Sequence, residues 1–225
     1  MHNFFVNCDN RQGDRYFITG SDCNHIKNVL RMREGDTFLV SCNGVSSLCS
    51  LESIDGDTAV AKIIEENYQD TNLPINIYLF QGLPKADKME LIIQKAVELG
   101  VRAVVPVEMN RCVVRLDDKK KKAKVLRWQS IAESAAKQSK RSIVPEVNDV
   151  MTYQKAMEKA EKLDLFLVPY ENKDGMSATK KALSCIKSGM NVGILIGPEG
   201  GFEENEIDKA VSIGGKTVSL GKRIL

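Results

Sequence analysis

Residues 191–201, NVGILIGPEGG, constrain this chain more than any other stretch. From Val192 to Ile196 every residue is apolar or glycine and nothing alternates, the pattern of a strand buried on both faces in a parallel sheet. The run ends in Gly197-Pro198-Glu199-Gly200-Gly201, where the glycines allow a sharp turn and a close backbone approach to a ligand. A helix follows, with Ile207, Ala210, Val211 and Gly214 on one face and Gly214-Gly215 as its stop. Strand, glycine loop and helix form a ligand-binding arrangement in open α/β sheets, and equally a plain strand-to-helix connection. No Lys-Ser or Lys-Thr follows the last glycine, and the spacing is not G-x-G-x-x-G, so nucleotide phosphate loops are disfavoured. Glu203, Glu204 and Glu206 already complement the positive end of the helix dipole. The expected ligand is therefore neutral, zwitterionic or cationic.

The glycine loop follows a late strand. After Pro74 the rhythm is α/β: strand at 75–80, loop at 81–88, helix with a stripe of Met89, Ile92, Ile93, Ala96 and Val97, then strand at 101–107. Asp87 and Glu90 have capping-box spacing. A long helix carries Val125, Trp128, Ile131, Ala132 and Ala135 on one face, and its lysines at 119–122 spread around it as a solvated surface. Gln138, Ser139 and Arg141 stand where that helix stops, placed either to cap it or to hold a base edge or phosphate. In dinucleotide-binding folds the glycine loop follows the first strand, so the late position argues against them.

Residues 1–70 read differently, as a small β-rich barrel domain, with 65–73 as a polar linker. Short strands are expected at 4–6, 16–18, 37–40, 45–54 and 58–64, with Asn43-Gly44 as a hairpin turn. Ser21-Asp22 is expected to cap a helix reaching Arg31, with Ile26, Val29 and Leu30 inward. Arg11, Arg15, Arg31 and Arg33 are candidates for phosphate contacts. The net charge of +2 is too small to argue for nucleic acid by itself. The six cysteines include no C-x-x-C pair and there are two histidines, so no metal site is expected and the cysteines fit a reducing cytoplasm as free thiols. No signal-peptide profile or membrane-length apolar run is present, and a cytoplasmic location is expected.

Four stretches carry a family resemblance. ILIGPEGGF, followed by a helix and by VSLGKRIL at 218–225, resembles the C-terminal motifs of the bacterial 16S ribosomal RNA uridine-N3 methyltransferases of the SPOUT superfamily. HIKNVLRMREGD resembles their PUA-like N-terminal domain, LPKADKMELIIQKAVELGV their loop near the methyl donor, and RWQSIAESAAKQSKRSIVPEV their signature of Arg-Trp, then Ala-x-Gln-Ser-x-Arg, then Pro. The resemblance spans essentially the whole chain. It implies an α/β fold, a SPOUT-type parallel sheet with a C-terminal trefoil knot over 73–225, behind a PUA-like RNA-binding barrel over 1–70. It implies transfer of a methyl group from S-adenosylmethionine to N3 of a uridine in 16S ribosomal RNA, and a homodimer paired through the α/β domain.

On this reading the cofactor sits among Gln81, Gly82, Leu83, Leu195, Ile196, Gly197, Pro198, Glu199, Gly200, Gly201, Leu220, Gly221, Ile224 and Leu225. Arg141, Arg111 or Arg223 would favour the N3-deprotonated uridine, while Lys85, Gln138 and Ser139 join the arginines at 11, 15, 31 and 33 on RNA. No residue stands out as a general base. In the family the last motif continues through an Arg-x-Glu-Thr-Ala stretch into a final helix, so a further segment past Leu225 is expected, and without it an incomplete cofactor site. Two alternatives remain: an RNA-binding protein without catalysis, whose RNA affinity would ignore S-adenosylmethionine, and a different α/β nucleotide-binding enzyme.

Overall fold

The computed structural model describes residues 1–69, 71–170 and 175–221. The chain forms two compact units: residues 1–72 with 133–144, and residues 73–132 with 145–225.

In the first unit, apolar runs broken by turn residues give β1 (Asn3–Phe5), β2 (Arg11–Gln12), β3 (Arg15–Thr19), β4 (Thr37–Cys42), β5 (Val45–Asp55) and β6 (Thr58–Glu65). They make one curled sheet in the order β1-β4-β5-β6-β3-β2. Register shifts between β5 and β6, at Leu48/Cys49 and Leu51/Ser53, add the local bend that lets a six-stranded sheet curl. Phe4, Tyr16, Ile18, Ile26, Phe38, Val40, Cys49 and Leu51 fill its core, with Phe4 edge-on to Phe38. The turn between β4 and β5 puts Asn43 at φ 48° and Gly44 at φ 84°, the left-handed pair that a two-residue hairpin requires. A Cβ on Gly44 would also stand 3.3 Å from the Ile143 side chain. Gly44→Ala is expected to cost about 1–2 kcal/mol from the left-handed conformation, read by denaturant unfolding against the parent chain.

Two sequence expectations change here. α1 (Gly20–Asn24) begins after Thr19, with no side-chain cap from Ser21 or Asp22, and gives way to a π-type turn at His25–Val29. The Leu30 amide donates to the His25 carbonyl five residues back, and this wider turn swings Val29 into solvent while Ile26 stays buried. The cysteines are not all free thiols: Cys8 and Cys42 are joined in a disulfide. β1 runs parallel to β4, and the Val6 amide donates to the Ser41 carbonyl, which carries Cys8 to the end of β4. In the polar stretch after β6, the Tyr68 amide donates to the Ser46 carbonyl, and Asn72 Nδ2 donates to Ser142 Oγ.

The second unit holds β7 (Asn76–Gly82), β8 (Ala103–Glu108), β9 (Glu146–Val147), β10 (Met151–Thr152), β11 (Leu165–Pro169), β12 (Asn191–Ile196) and β13 (Lys216–Val218). Every pairing is parallel, in the order β10-β8-β7-β12-β11-β13, with β9 also on β8. The helices are α2 (Lys88–Glu98), α3 (Asp118–Gln138), α4 (Tyr153–Ala160), α5 (Gly175–Leu183) and α6 (Glu204–Ser212). β12 lies between β7 and β11, with Val192 and Leu195 buried, as its unalternating run predicts. Met89, Ile93 and Val97 of α2 are buried, and Phe80 meets Phe166 edge-on at 5.5 Å.

The capping box expected at α2 does not form. Asp87 makes no side-chain cap, and Glu90 instead pairs with Arg127, which draws the carboxylate away from the helix start. The last residues of α3 and the segment through 144 belong to the first unit. There Asn3 Nδ2 donates to the Arg141 carbonyl at 2.8 Å and Lys137 pairs with Asp22 at 3.0 Å.

Candidate functional site

The order of the second sheet reverses between β7 and β12. From β7 the chain adds β8, then β9 and β10, on one side; β12, β11 and β13 lie on the other. In open parallel sheets the crevice outside the carboxyl ends of two such strands is where ligands bind. Gln81-Gly82-Leu83 leaves β7 at this point and Gly197 to Gly201 leaves β12.

Contact between the two loops is close. A Cβ on Gly82 would stand 2.7 Å from Pro198 Cδ and 2.8 Å from both Pro198 N and Met109 Sδ, so only glycine fits. Buried Gln81 donates from Nε2 to its neighbour's carbonyl, Gly82 O, at 2.9 Å. The Phe202 ring lies over Gly197 and meets Tyr170 edge-on. Glu199 accepts from the Lys85 amide at 3.1 Å and pairs with Lys88 at 3.0 Å. Its carboxyl is held below the usual carboxylate range, first by the hydrogen bond from Lys88. This tether is thus complete above that range and is released as pH falls through the lowered value. Ala86, inside the tethered loop, is held at φ 51°.

A third loop closes the corner. The stretch after β8 brings Arg111 to the glycine loop, where Nη1 donates to Gly200 O at 3.2 Å. Asn110 reaches α6: its amide donates to Glu206 Oε1 at 3.0 Å and its Nδ2 to Glu203 Oε2 at 2.7 Å. Glu203 and Glu206 form the capping box that starts α6, with Glu203 N donating to Glu206 Oε2 at 2.9 Å. The positive end of α6 is consequently occupied by its own carboxylates, which leaves no anion site for a polyphosphate. At the β13 edge of the sheet, Ser219 exchanges two hydrogen bonds with Thr179, and Gly221 follows at φ 91°.

Residues 71–225 match the family described as RNA methyltransferase domain, and residues 18–64 match the RNA methyltransferase PUA domain. A Bacillus subtilis protein named Ribosomal RNA small subunit methyltransferase E is 40% identical over all of this chain and 91% of its own length. The chain belongs to the ribosomal RNA small subunit methyltransferase E family. A Mesomycoplasma hyopneumoniae protein of the same name is 33% identical, covering 100% of this chain and 93% of its own. Among solved structures, the Neisseria gonorrhoeae methyltransferase E bound to S-adenosyl methionine is 33% identical, with TM-score 0.79 over 100% of this chain and 91% of that one. A crystal structure described as a hypothetical protein reaches TM-score 0.91 at 38% identity, over 99% of this chain and 91% of that one.

The residues expected around the cofactor fall into three groups. Gln81 and Gly82 at the end of β7 lie beside Ile196 and the loop from Gly197 to Gly201 after β12, and Leu83 and Leu195 are buried. Leu220 and Gly221 follow β13, and Ile224 and Leu225 lie outside the described residues. The three candidate cations are not brought together within one unit: Arg111 lies on the glycine loop, Arg141 is buried in the first unit, and Arg223 lies outside the described residues.

The expected RNA contacts also divide. Arg15 is engaged by Glu52 and Asp14, and Arg11 by Glu66, whereas Arg31 and Arg33 are exposed with no side-chain partner among the described residues. Lys85 and Gln138 are exposed, and Ser139 Oγ donates back to the Ala135 carbonyl at 2.7 Å. Asn110, Lys88, Phe202 and Tyr153 were not legible as site residues. The Asn110 and Tyr153 partners lie 53 to 96 residues away, beyond any local pattern.

Proposed function

We propose that this chain methylates N3 of a uridine in the 16S ribosomal RNA of the small subunit, with S-adenosylmethionine as the methyl donor held between β7 and β12. The observation that carries the reading is the glycine crevice at the sheet's reversal, where Gly82 and Pro198 pack too closely for any side chain at 82. Its donor set fits the cofactor: backbone groups of the loops at 81–83 and 197–201 can read a purine edge, and the local carboxylates Glu199, Glu203 and Glu206 suit a sulfonium cation better than a phosphate. When bound, the cofactor supplies an activated methyl group, so no protein nucleophile is required.

The protein's own residues then have two tasks. The loops orient the acceptor nitrogen toward the methyl carbon, an alignment worth several orders of magnitude in rate. The Arg111 guanidinium favours the uridine form that has lost its N3 proton. Arg31, Arg33 and Lys85 hold RNA phosphates, with Arg11, Arg15, Gln138 and Ser139 as further contacts, and Arg141 serves acceptor placement. Residues 1–70 act as the RNA-binding domain and residues 73–225 as the catalytic one, of SPOUT type with a C-terminal trefoil knot. The active species is a cytoplasmic homodimer paired through the catalytic domain.

Mass analysis of 16S ribosomal RNA from cells with and without this protein tests the reading. One uridine should lose a single methyl group when the protein is absent. An unchanged modification profile contradicts the assignment.

A further inference from the structure

Glu206 carries a carboxyl group, is only 3% exposed, and stands five residues past Gly201, the last residue of the glycine loop. Its two carboxylate oxygens do different jobs. Oε2 accepts from the Glu203 amide and completes the capping box of α6, while Oε1 accepts from the Asn110 amide on the loop after β8. Asn110 returns the contact through Nδ2 to Glu203 Oε2, and the Tyr153 hydroxyl of α4 donates to the Glu206 carbonyl. A helix cap needs only the first of these bonds. The two bonds from Asn110 lock the residue immediately before Arg111 onto the helix that follows the glycine loop. Arg111 is thereby carried to Gly200, where its Nη1 donates to the loop carbonyl and its Cβ and carbonyl line the space at Gly200. Arg115 secures the same turn, donating to the carbonyls of Met109 at 3.4 Å and Asn110 at 3.0 Å.

We propose that Glu206, acting through Asn110, is a positioning residue for Arg111: it sets where the guanidinium stands over the glycine loop and so where the acceptor base is stabilised. The proposal rests on the methyl-transfer reading above and assigns the brace a role in turnover distinct from cofactor binding. The two carboxylate oxygens each receive an amide N–H, so a glutamine at this position must turn its own NH2 toward one donor. Glu206→Gln thus breaks one of the two links at almost constant volume.

The test is a double-mutant cycle between Glu206→Gln and Arg111→Ala, with small subunits lacking the modification as substrate and labelled S-adenosylmethionine as donor. Glu206→Gln is expected to lower kcat about tenfold, a loss of turnover rather than uniform binding. Its S-adenosylmethionine Kd by calorimetry should stay within about twofold of the parent value. With Arg111 already removed, Glu206→Gln should cost no further rate, because the two act as a unit. Asn110→Ala, which keeps the backbone amide and removes only the link to Glu203, should show the same dependence on Arg111 with a smaller loss; it serves if Glu206→Gln does not fold. Multiplicative losses in the cycle, or a Kd that weakens in step with kcat, overturn the proposal and leave Glu206 as a helix cap. A parent-like rate for Arg111→Ala alone overturns the brace together with the role given to Arg111. Absence of transfer by the parent chain instead removes the methyl-transfer reading on which it rests.

Discussion

Gly82→Val is expected to abolish S-adenosylmethionine binding while leaving the first unit intact. Position 82 ends β7 and packs against Pro198 from the glycine loop and Met109 from the loop after β8. A Cβ there would stand 2.7 Å from Pro198 Cδ and 2.8 Å from the Pro198 backbone nitrogen. Backbone cannot yield as a flexible side chain can, so the glycine loop must move away from β7. Displacing the surface proposed to read the cofactor should weaken Kd by at least about 100-fold, or about 2.7 kcal/mol. Calorimetry with S-adenosylmethionine reads the loss, and a thermal scan of the same sample separates it from unfolding. A folded variant with parent-like affinity would place the cofactor elsewhere.

Arg111→Ala should have the opposite profile. The nearest neighbours of a Cβ at Gly200 are Arg111 Cβ and the Arg111 carbonyl, and alanine retains both. Packing at the glycine loop survives, and only the guanidinium and its bond to Gly200 O are lost. Cofactor affinity is expected to stay within about threefold. Methyl transfer should fall about 100-fold, the order associated with removing one preorganised electrostatic group from a developing charge. A variant that loses affinity and rate together would make Arg111 part of the cofactor cradle.

How far the sequence foretold this arrangement depends on how local each cause is. The buried strand before the glycine loop, the Asn43-Gly44 hairpin and the inward stripe of α2 were legible because period and turn chemistry are written in consecutive residues. Glu203 and Glu206 were read as complements to the helix dipole, and they do more, since their spacing of three builds the capping box. The same spacing at Asp87 and Glu90 came to nothing because Arg127, on another helix, competes for Glu90. Val29 turned outward because a π-type turn changes the helical period, which no apolar pattern announces. The Cys8–Cys42 bond depends on β1 lying parallel to β4, which brings together cysteines 34 residues apart. Asn110 and Tyr153 enter the site for the same kind of reason: only the fold brings them to α6.

The central claim is methyl transfer to one uridine nitrogen from a cofactor seated at the β7/β12 crevice. The most direct measurement incubates the purified protein with small ribosomal subunits from cells lacking the modification and with methyl-labelled S-adenosylmethionine, then digests the 16S ribosomal RNA and identifies the labelled nucleoside. The account predicts one labelled methyl group per RNA, carried on N3 of a uridine, and none with Gly82→Val. Label on a different atom, or RNA that binds without acquiring label, would contradict it.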